Sequence, residues 1–128
     1  LFIDIGTNGE IVVGNRDWMV CAACSAGPAF EGGGIQYGMR ASAGAIENFQ
    51  IHPETYDPTI VTIGRIKPSG ICGSGLISIV SELLLAGVID QQGKFNRSLD
   101  HPRIREGRDG WEYVLAWGQD SLIGEDIV

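Results

Sequence analysis

The sequence predicts an α/β domain that is α+β-like in its element order. Short apolar runs separated by tight turns indicate strands, and one long apolar stretch near residue 80 indicates a helix. The 19 glycines are scattered through the joints between these runs, as tight turns and close backbone approaches require. A chain of 128 residues can bury one core, so we expect residues 1–128 to form a single domain.

Composition and charge disfavour several classes of protein. Hydrophobic residues make up 44% of the chain and charged residues 20%, which are ordinary values for a globular protein. Nine basic against 16 acidic residues give a net charge of -7. That balance disfavours a nucleic-acid or anionic-membrane surface, because either would cluster Lys and Arg. No apolar run approaches the ~18 residues of a membrane span. The chain starts at Leu1 without a signal-peptide pattern, so we expect a cytoplasmic piece of a longer polypeptide.

The first strands are predicted at residues 1–5, 10–15 and about 18–25. Their joints are so short that consecutive strands should pair antiparallel, as a three-stranded meander. Apolar residues on both faces of the first and third runs predict that this sheet is covered on both sides.

The third run contains a C-x-x-C pair, Cys21 and Cys24. Residues three apart on a strand point to opposite faces, so these thiols should not share a metal. A zinc site would also need about four ligands, and His52 and His101 lie far away in the sequence. We therefore expect both thiols to pack as small buried side chains.

Residues 26–41 are too rich in glycine for a long helix, and we expect a loop with one or two helical turns around residues 33–38. Strands are predicted at residues 45–52 and 59–66, separated by a turn-rich segment.

The clearest helix is predicted at residues 74–86, with Gly87 placed to end it. Because its polar residues form one narrow stripe, the helix should be largely buried. The stripe consists of Ser74, Ser78, Ser81 and Glu82. Residues 96–110 then predict a solvated loop, although a partner-docking surface is the alternative. A strand at residues 110–117 and a short one near Ile127 complete the prediction.

The heptapeptide DIGTNGE at residues 4–10 is the first candidate site. An ionised carboxylate at the end of an apolar strand needs solvent, a hydrogen-bonding turn or a cation, which makes Asp4 a candidate. Gly6 and Gly9 allow successive N–H groups to converge on an anion. Glu10 could orient a water or a hydrated metal. The alternative is a plain hairpin, because Asn-Gly is a strong hairpin signal.

Two further segments are candidates. SGICGSGL, residues 69–76, leads into the predicted helix, and helix N-termini bind phosphates readily. Gly73 and Gly75 would allow close approach, and Ser74 would cap the helix or touch a ligand; the alternative is a cap with close helix–sheet packing. In AGPAFEGGGI, Glu31 lies among glycines after a strand, which would place it in a cleft or leave it an ordinary loop residue.

Six segments in order, taken together, resemble the C-terminal lobe of the reductive activators of corrinoid proteins. They are DIGTNGE, GPAFEGGGI, GMRASAGAIE, TIG, GICGSGLI and LLLAGVID. The resemblance covers essentially all of residues 1–125. It implies a ribonuclease-H-like, actin-like ATPase lobe with a mixed sheet that begins with the meander. It also implies that Asp4, Gly6, Thr7, Asn8 and Gly9 form a phosphate loop, with Asp4 reaching magnesium through a bound water.

Activators of this family use ATP to drive an electron from a two-iron–two-sulfur (2Fe-2S) cluster to an inactive Co(II) corrinoid, regenerating Co(I). The resemblance therefore implies ATP and Mg as cofactors, a cluster in a separate ferredoxin-like domain, and the corrinoid protein of a methyltransferase system as partner. Asp4, Glu10 and Glu31 are the candidate catalytic residues, and Gly73, Ser74 and Gly75 join the phosphate loop as candidate nucleotide contacts.

Cys72 occupies the place of a cluster-binding cysteine in the related dehydratase activases, but corrinoid activators carry their cluster elsewhere, so that role is not transferred. The chain lacks the first phosphate loop and the late adenosine motif of the family. It should therefore supply only one wall of the ATP cleft and be inactive alone. The surface that the missing segments would cover should be exposed, so we expect the domain to associate as a homodimer or higher oligomer. A dehydratase or reductase activase and a non-enzymatic docking module are the alternative functions.

Overall fold

A computed structural model describes residues 1–6, 8–25 and 27–128 of the chain. Its α-helix, α1, spans Gly73–Leu85. The strands are β1 Phe2–Ile5, β2 Asn8–Gly14, β3 Met19–Ser25, β4 Ala45–Ile51, β5 Pro58–Thr62, β6 Gly70–Ile71, β7 Ile104–Glu106 and β8 Trp111–Tyr113. Short 3-10 helices lie at Pro28–Glu31, Ile63–Arg65 and Gly118–Asp120.

Strands β1, β2 and β3 form the predicted antiparallel meander. The prediction that this sheet is covered on both faces is wrong for this chain. Among its described residues only Gly9 is buried, and apolar side chains such as Phe2, Met19 and Val20 are exposed. The physical reason is that the later elements pack around β4 and leave the apolar faces of the meander open.

The same exposure corrects the prediction for the C-x-x-C pair. Cys21 and Cys24 are both exposed rather than buried. Cys24 lies opposite Gly9 in the β2–β3 register, and its Sγ is 3.4 Å from the Gly9 carbonyl oxygen.

A second sheet holds the core. Strand β4 lies between β5, with which it pairs antiparallel, and β6, with which it pairs parallel. Apolar side chains of β4 pack against α1 and the C-terminal residues, and the Phe49 ring meets that of Tyr113 edge-on at 6.0 Å. The largest fully buried side chains are Phe49, Ile46, Ile127, Val88 and Val114.

Helix α1 lies where it was predicted and ends at the expected glycine. Gly87 has a φ of 69°, a value that costs glycine little, and its N–H donates to the Leu84 carbonyl. The helix buries one side only, through Gly75, Ile79 and Leu83. Its opposite apolar residues, including Ile77, Val80 and Leu85, are exposed, so the prediction of a largely buried helix is wrong for that side.

Two loop predictions also need correction. Helical geometry in the glycine-rich segment occurs at Pro28–Glu31 rather than around residues 33–38, because a proline in the first turn favours it there. The predicted loop at residues 96–110 contains β7, which pairs with β8. The predicted final strand is an isolated bridge between Ala116 and Ile127. In the parts of the chain that the structure describes, no helix is long and apolar enough to cross a membrane.

Candidate functional site

Asp4 and Glu10 stand directly opposite each other in the β1–β2 register. Directly opposed residues of antiparallel strands share a face, with Cβ atoms about 5 Å apart, and like charges in such a pair are destabilising. Asp4 is exposed and Glu10 partly buried. The pair therefore places two carboxylates where a bound cation would relieve their repulsion.

The turn between these strands is a hairpin. Gly6 N–H donates to the Asn8 carbonyl at 2.8 Å, and Ile5 pairs with Gly9. β1 and β2 thus form a hairpin, as the alternative expected, but Asn8 and Gly9 lie in β2 rather than in its turn; the phosphate loop stays a prediction. Thr7, predicted to contact phosphate, lies outside the described residues.

Two of the three candidate segments are in contact. The 3-10 helix that carries Glu31 begins at Pro28, three residues after β3 ends at Ser25. The same short helix contacts the start of α1, where the Phe30 carbonyl oxygen approaches Gly73. The hairpin is linked to these two segments through β3, because Asn8 pairs with Ser25.

The glycines at the start of α1 have a packing role. A Cβ on Gly73 would lie 2.7 Å from the Phe30 carbonyl oxygen. A Cβ on Gly75 would overlap the Ile46 carbonyl oxygen and lie 2.8 Å from its carbonyl carbon. This is the close helix–sheet packing that the sequence left open as an alternative, and it accounts for both glycines without a ligand.

The first turn of α1 has no side-chain cap. Cys72 is the N-cap residue, but its Sγ donates to the Ile46 carbonyl at 3.1 Å and accepts no bond from the N–H groups of the helix. Ser74, predicted as a cap, lies inside the first turn, exposed, with its Oγ 3.3 Å from that sulfur. Since the first N–H groups of a helix have no intrahelical partner, they present partial positive charge at this end.

Glu31 ends the 3-10 helix and is exposed, with Gly32 following in the left-handed conformation at a φ of 87°. Its carboxylate lies on the segment that contacts α1. The structure therefore places all three predicted catalytic candidates on the surface: Asp4 and Glu10 together on the meander, and Glu31 on the adjoining segment.

The described carboxylates and thiols differ in how they fit the two predicted metal groups. In residues 1–6, 8–25 and 27–128, no group of three or more His, Cys, Asp or Glu side chains converges as a metal site. Mg²⁺ binds through one or two carboxylates completed by water and phosphate oxygens, which suits Asp4 with Glu10. A 2Fe-2S cluster needs about four thiolates, whereas Cys21 and Cys24 are exposed and Cys72 is buried under the Ile46 carbonyl.

Sequence reasoning missed one charged cluster. Arg105 donates to Glu112 at 2.7 Å and to Asp126 at 2.9 Å, and its guanidinium lies 5.7 Å from the Trp117 ring centroid. These carboxylates raise the pKa of Arg105. The cluster borders an open groove of about 450 Å³ that contains none of the predicted site residues. The only signal in the sequence was the high density of Arg and acidic residues.

The whole chain, residues 1–128, matches the family described as the C-terminal domain of RACo, the ASKHA domain. The chain belongs to this family. The structure of a protein titled reductive activator for corrinoid, iron-sulfur protein superposes with a TM-score of 0.88 at 56% identity, covering 97% of this chain and 20% of that one. The predicted ribonuclease-H-like, actin-like class is thereby confirmed.

Two curated proteins are also similar to this RACo-type domain. Corrinoid activation enzyme RamQ of Eubacterium limosum is 44% identical over 136 residues, which cover 100% of the chain and 22% of that protein. The [Co(II) methylated amine-specific corrinoid protein] reductase of Methanosarcina barkeri is 34% identical over 113 residues, covering 71% of the chain and 21% of that protein. The chain thus spans about a fifth of the length of these relatives.

Proposed function

We propose that this domain forms one wall of the ATP cleft in a larger protein that reduces an inactive Co(II) corrinoid protein to Co(I). The observation that carries the proposal is the match to the RACo C-terminal family over residues 1–128. It is supported by relatives whose names state corrinoid activation and corrinoid-protein reduction.

In this proposal the hairpin turn at residues 4–10 faces the nucleotide phosphates. The turn that carries Gly6, Thr7, Asn8 and Gly9 contacts phosphate oxygens, as successive backbone N–H groups do elsewhere; the Gly6 N–H is not one of these donors, because it bonds the Asn8 carbonyl. Asp4 would hold Mg²⁺ through a bound water, and its register partner Glu10 would orient a second water. The cation would supply neutralising charge for the phosphates, and its binding would relieve the repulsion between the two carboxylates.

The start of α1 supplies the second contact. The uncapped N–H groups of Gly73, Ser74 and Gly75 add favourable charge for an anion, and Glu31 lies on the neighbouring segment. Catalysis in this arrangement comes from positioning and electrostatic stabilisation rather than from a covalent nucleophile. One wall cannot exclude water from ATP, so we propose that the isolated domain is inactive.

The remaining functions lie elsewhere in the larger protein. We propose that the 2Fe-2S cluster belongs to a separate domain and that the partner is the corrinoid protein of a methyltransferase system. Exposed apolar residues of the meander, such as Met19 at 72% and Val20 at 61% exposure, favour self-association of the isolated domain as a homodimer or larger oligomer. Light scattering at millimolar concentration tests this, and a monomer would contradict it.

The test of function uses the full-length protein that contains this domain. ATP-dependent conversion of the Co(II) to the Co(I) corrinoid is followed by its absorbance, and binding of Mg·ATP is measured by calorimetry. Asp4→Ala should lower turnover by a factor of about 10² and weaken Mg·ATP binding. Asp17→Ala is the matched control, because Asp17 lies exposed in the other turn of the meander, and it should behave as wild type.

Three outcomes separate this proposal from its alternatives. Wild-type binding and turnover by Asp4→Ala would show that the phosphate-loop assignment is wrong. ATP hydrolysis without corrinoid reduction would favour an activase for another electron acceptor. Complete absence of nucleotide dependence in the wild type would favour a docking module.

A further inference from the structure

Among the described residues, no strand covers one edge of β4 beyond Ile46. Its neighbour β6 is only two residues long and pairs with Ala45 and Ile46. Beyond that point the backbone groups of residues 48–51 on this side lack a strand partner in the described chain. Backbone N–H and C=O groups without a partner are costly when buried, and at an exposed strand edge they promote pairing with another chain. Other groups must therefore bond the N–H and C=O groups along this edge.

Two residues of the polar stripe of α1 bond to these backbone groups. The Phe49 N–H donates to both Asn48 Oδ1 at 2.8 Å and Ser78 Oγ at 3.0 Å, and Ser78 Oγ lies 2.9 Å from the Phe49 carbonyl oxygen. Glu82 Oε2 accepts from the Ile51 N–H at 3.0 Å. The single hydroxyl hydrogen of Ser78 is directed either to that carbonyl or to Asn48 Oδ1 at 2.9 Å. Two residues of the stripe therefore bond the edge of β4 in the place where a neighbouring strand would.

Helix and strand spacings match along this contact. Four helical residues rise about 6 Å, and two strand residues about 6.7 Å, so Ser78 and Glu82 meet alternate residues of β4. One turn earlier Gly75 packs on the Ile46 carbonyl, and Cys72 Sγ donates to the same oxygen. The contact therefore runs from the start of α1 to its last turn.

The apolar contacts alone would not fix the helix along the strand. Burial of Ile79 and Leu83 is nondirectional, so it tolerates a slide of the helix, whereas hydrogen bonds have narrow distance and angle limits. The bonds of Cys72 to the Ile46 carbonyl fix the start of α1 on β4, and the bonds of Ser78 and Glu82 add directional contacts that fix the direction in which the helix leaves that point.

We propose that Ser78 and Glu82 are positioning residues for nucleotide binding. By bonding the free edge of β4 they hold α1 in the position relative to β4 at which its first turn contacts phosphate. This rests on the proposed function, since it takes the first turn of α1 as a nucleotide contact. Neither residue touches the nucleotide. Their removal should therefore weaken binding of Mg·ATP more than it slows the reaction of bound ATP.

The experiment uses the full-length protein with Mg·ATP as the probe. Glu82→Met keeps the length of the side chain and removes the acceptor, whereas Glu82→Gln retains an acceptor oxygen. Ser81→Ala is the matched control, because Ser81 is an exposed residue of the same helix. Each variant is measured for the Kd of Mg·ATP, for kcat at saturating ATP, and for thermal unfolding.

We expect Glu82→Met and Ser78→Ala each to raise Kd about tenfold, with kcat within about twofold of wild type. Glu82→Gln and Ser81→Ala should keep the wild-type Kd. A lower Tm with unchanged Kd in Glu82→Met would overturn the proposal and reduce both residues to a structural role.

A second substitution covers the case in which Glu82→Met does not fold. Glu82→Asp keeps the charge and the acceptor but shortens the side chain by one methylene group, so it should draw α1 along β4 and raise Kd by a smaller factor. An unchanged Kd in Glu82→Asp would then overturn the proposal. The proposed function fails separately: in that case wild type itself would not bind Mg·ATP.

Discussion

For Gly75→Ala, the structure predicts a change in stability opposite in sign to the one that helix propensity predicts. On helix propensity alone, alanine should stabilise an interior helical position by about 1 kcal/mol relative to glycine. Gly75, however, lies against β4, and a Cβ there would overlap the Ile46 carbonyl oxygen and stand 2.8 Å from its carbonyl carbon. Both atoms belong to backbone in the centre of a sheet, so they cannot turn aside as a side chain would.

The size of the effect follows from what must move. Overpacking of this kind costs about 1–3 kcal/mol. Shifting α1 away from β4 also lengthens the bonds from Cys72 Sγ to Ile46 and from Ser78 to Phe49, each worth about 1 kcal/mol. After the propensity gain is subtracted, we expect a net loss of about 3 kcal/mol in the free energy of unfolding.

Urea denaturation of the chain, followed by circular dichroism, measures this loss directly. Ser81→Ala is the control, since Ser81 lies on the exposed side of α1, and it should change the free energy of unfolding by less than about 0.5 kcal/mol. A Gly75→Ala variant as stable as wild type would refute the reasoning, because it would mean that α1 does not pack this closely on β4.

Two other substitutions test particular contacts. Tyr113→Phe removes the donor that bonds the Tyr56 carbonyl at 2.6 Å in a side chain that is 3% exposed, so it should cost about 1–2 kcal/mol in urea denaturation, whereas Tyr56→Phe should not. Glu10→Gln removes the repulsion with Asp4, so it should stabilise the isolated chain by a few tenths of a kcal/mol and yet weaken Mg·ATP binding by the full-length protein. A loss of stability in Glu10→Gln would contradict the charge argument.

The sequence predicted those elements whose signals are local. The meander followed from short turns between apolar runs, and α1 followed from helical spacing with Gly87 after it. The register that sets Asp4 opposite Glu10 followed from neither, because it depends on the geometry of the turn between them. The candidate residues were named individually, but their pairing needed the fold.

The errors share one physical cause. The predictions follow from the polarity of each segment, but burial depends on which surfaces meet in the fold. The apolar meander is exposed here because the later elements do not cover it, whereas polar Glu82 lies against β4 because the Ile51 N–H needs an acceptor. Arg105 looked like a loop residue, yet its bonds to Glu112 and Asp126 tie β7 and β8 to the C-terminal segment.

That last contact predicts how stability depends on pH. Asp126 accepts from the Gly118 N–H at 2.8 Å and from Arg105 at 2.9 Å. The Gly118 N–H group first, and Arg105 with it, hold the pKa of Asp126 below its ordinary value of 3.8, although partial burial acts in the opposite direction. In the folded state this carboxyl group therefore binds a proton less readily than in the unfolded state.

The sign follows from that difference. A carboxyl group with a lowered folded-state pKa contributes stability that is complete above its unfolded pKa and is lost as pH falls through the folded one. The free energy of unfolding should thus decline below about pH 4. Asp126→Asn removes this titration but keeps an oxygen for the Gly118 N–H, so urea denaturation at successive pH values should give a shallower decline than wild type. The pKa of Asp90 is also lowered, first by the Lys94 N–H and also by the Gln92 N–H, so Asp90→Asn measures the part of the decline that comes from that second carboxyl group. An unchanged slope in Asp126→Asn would mean that the bonds to Gly118 and Arg105 do not favour the ionised carboxylate in solution.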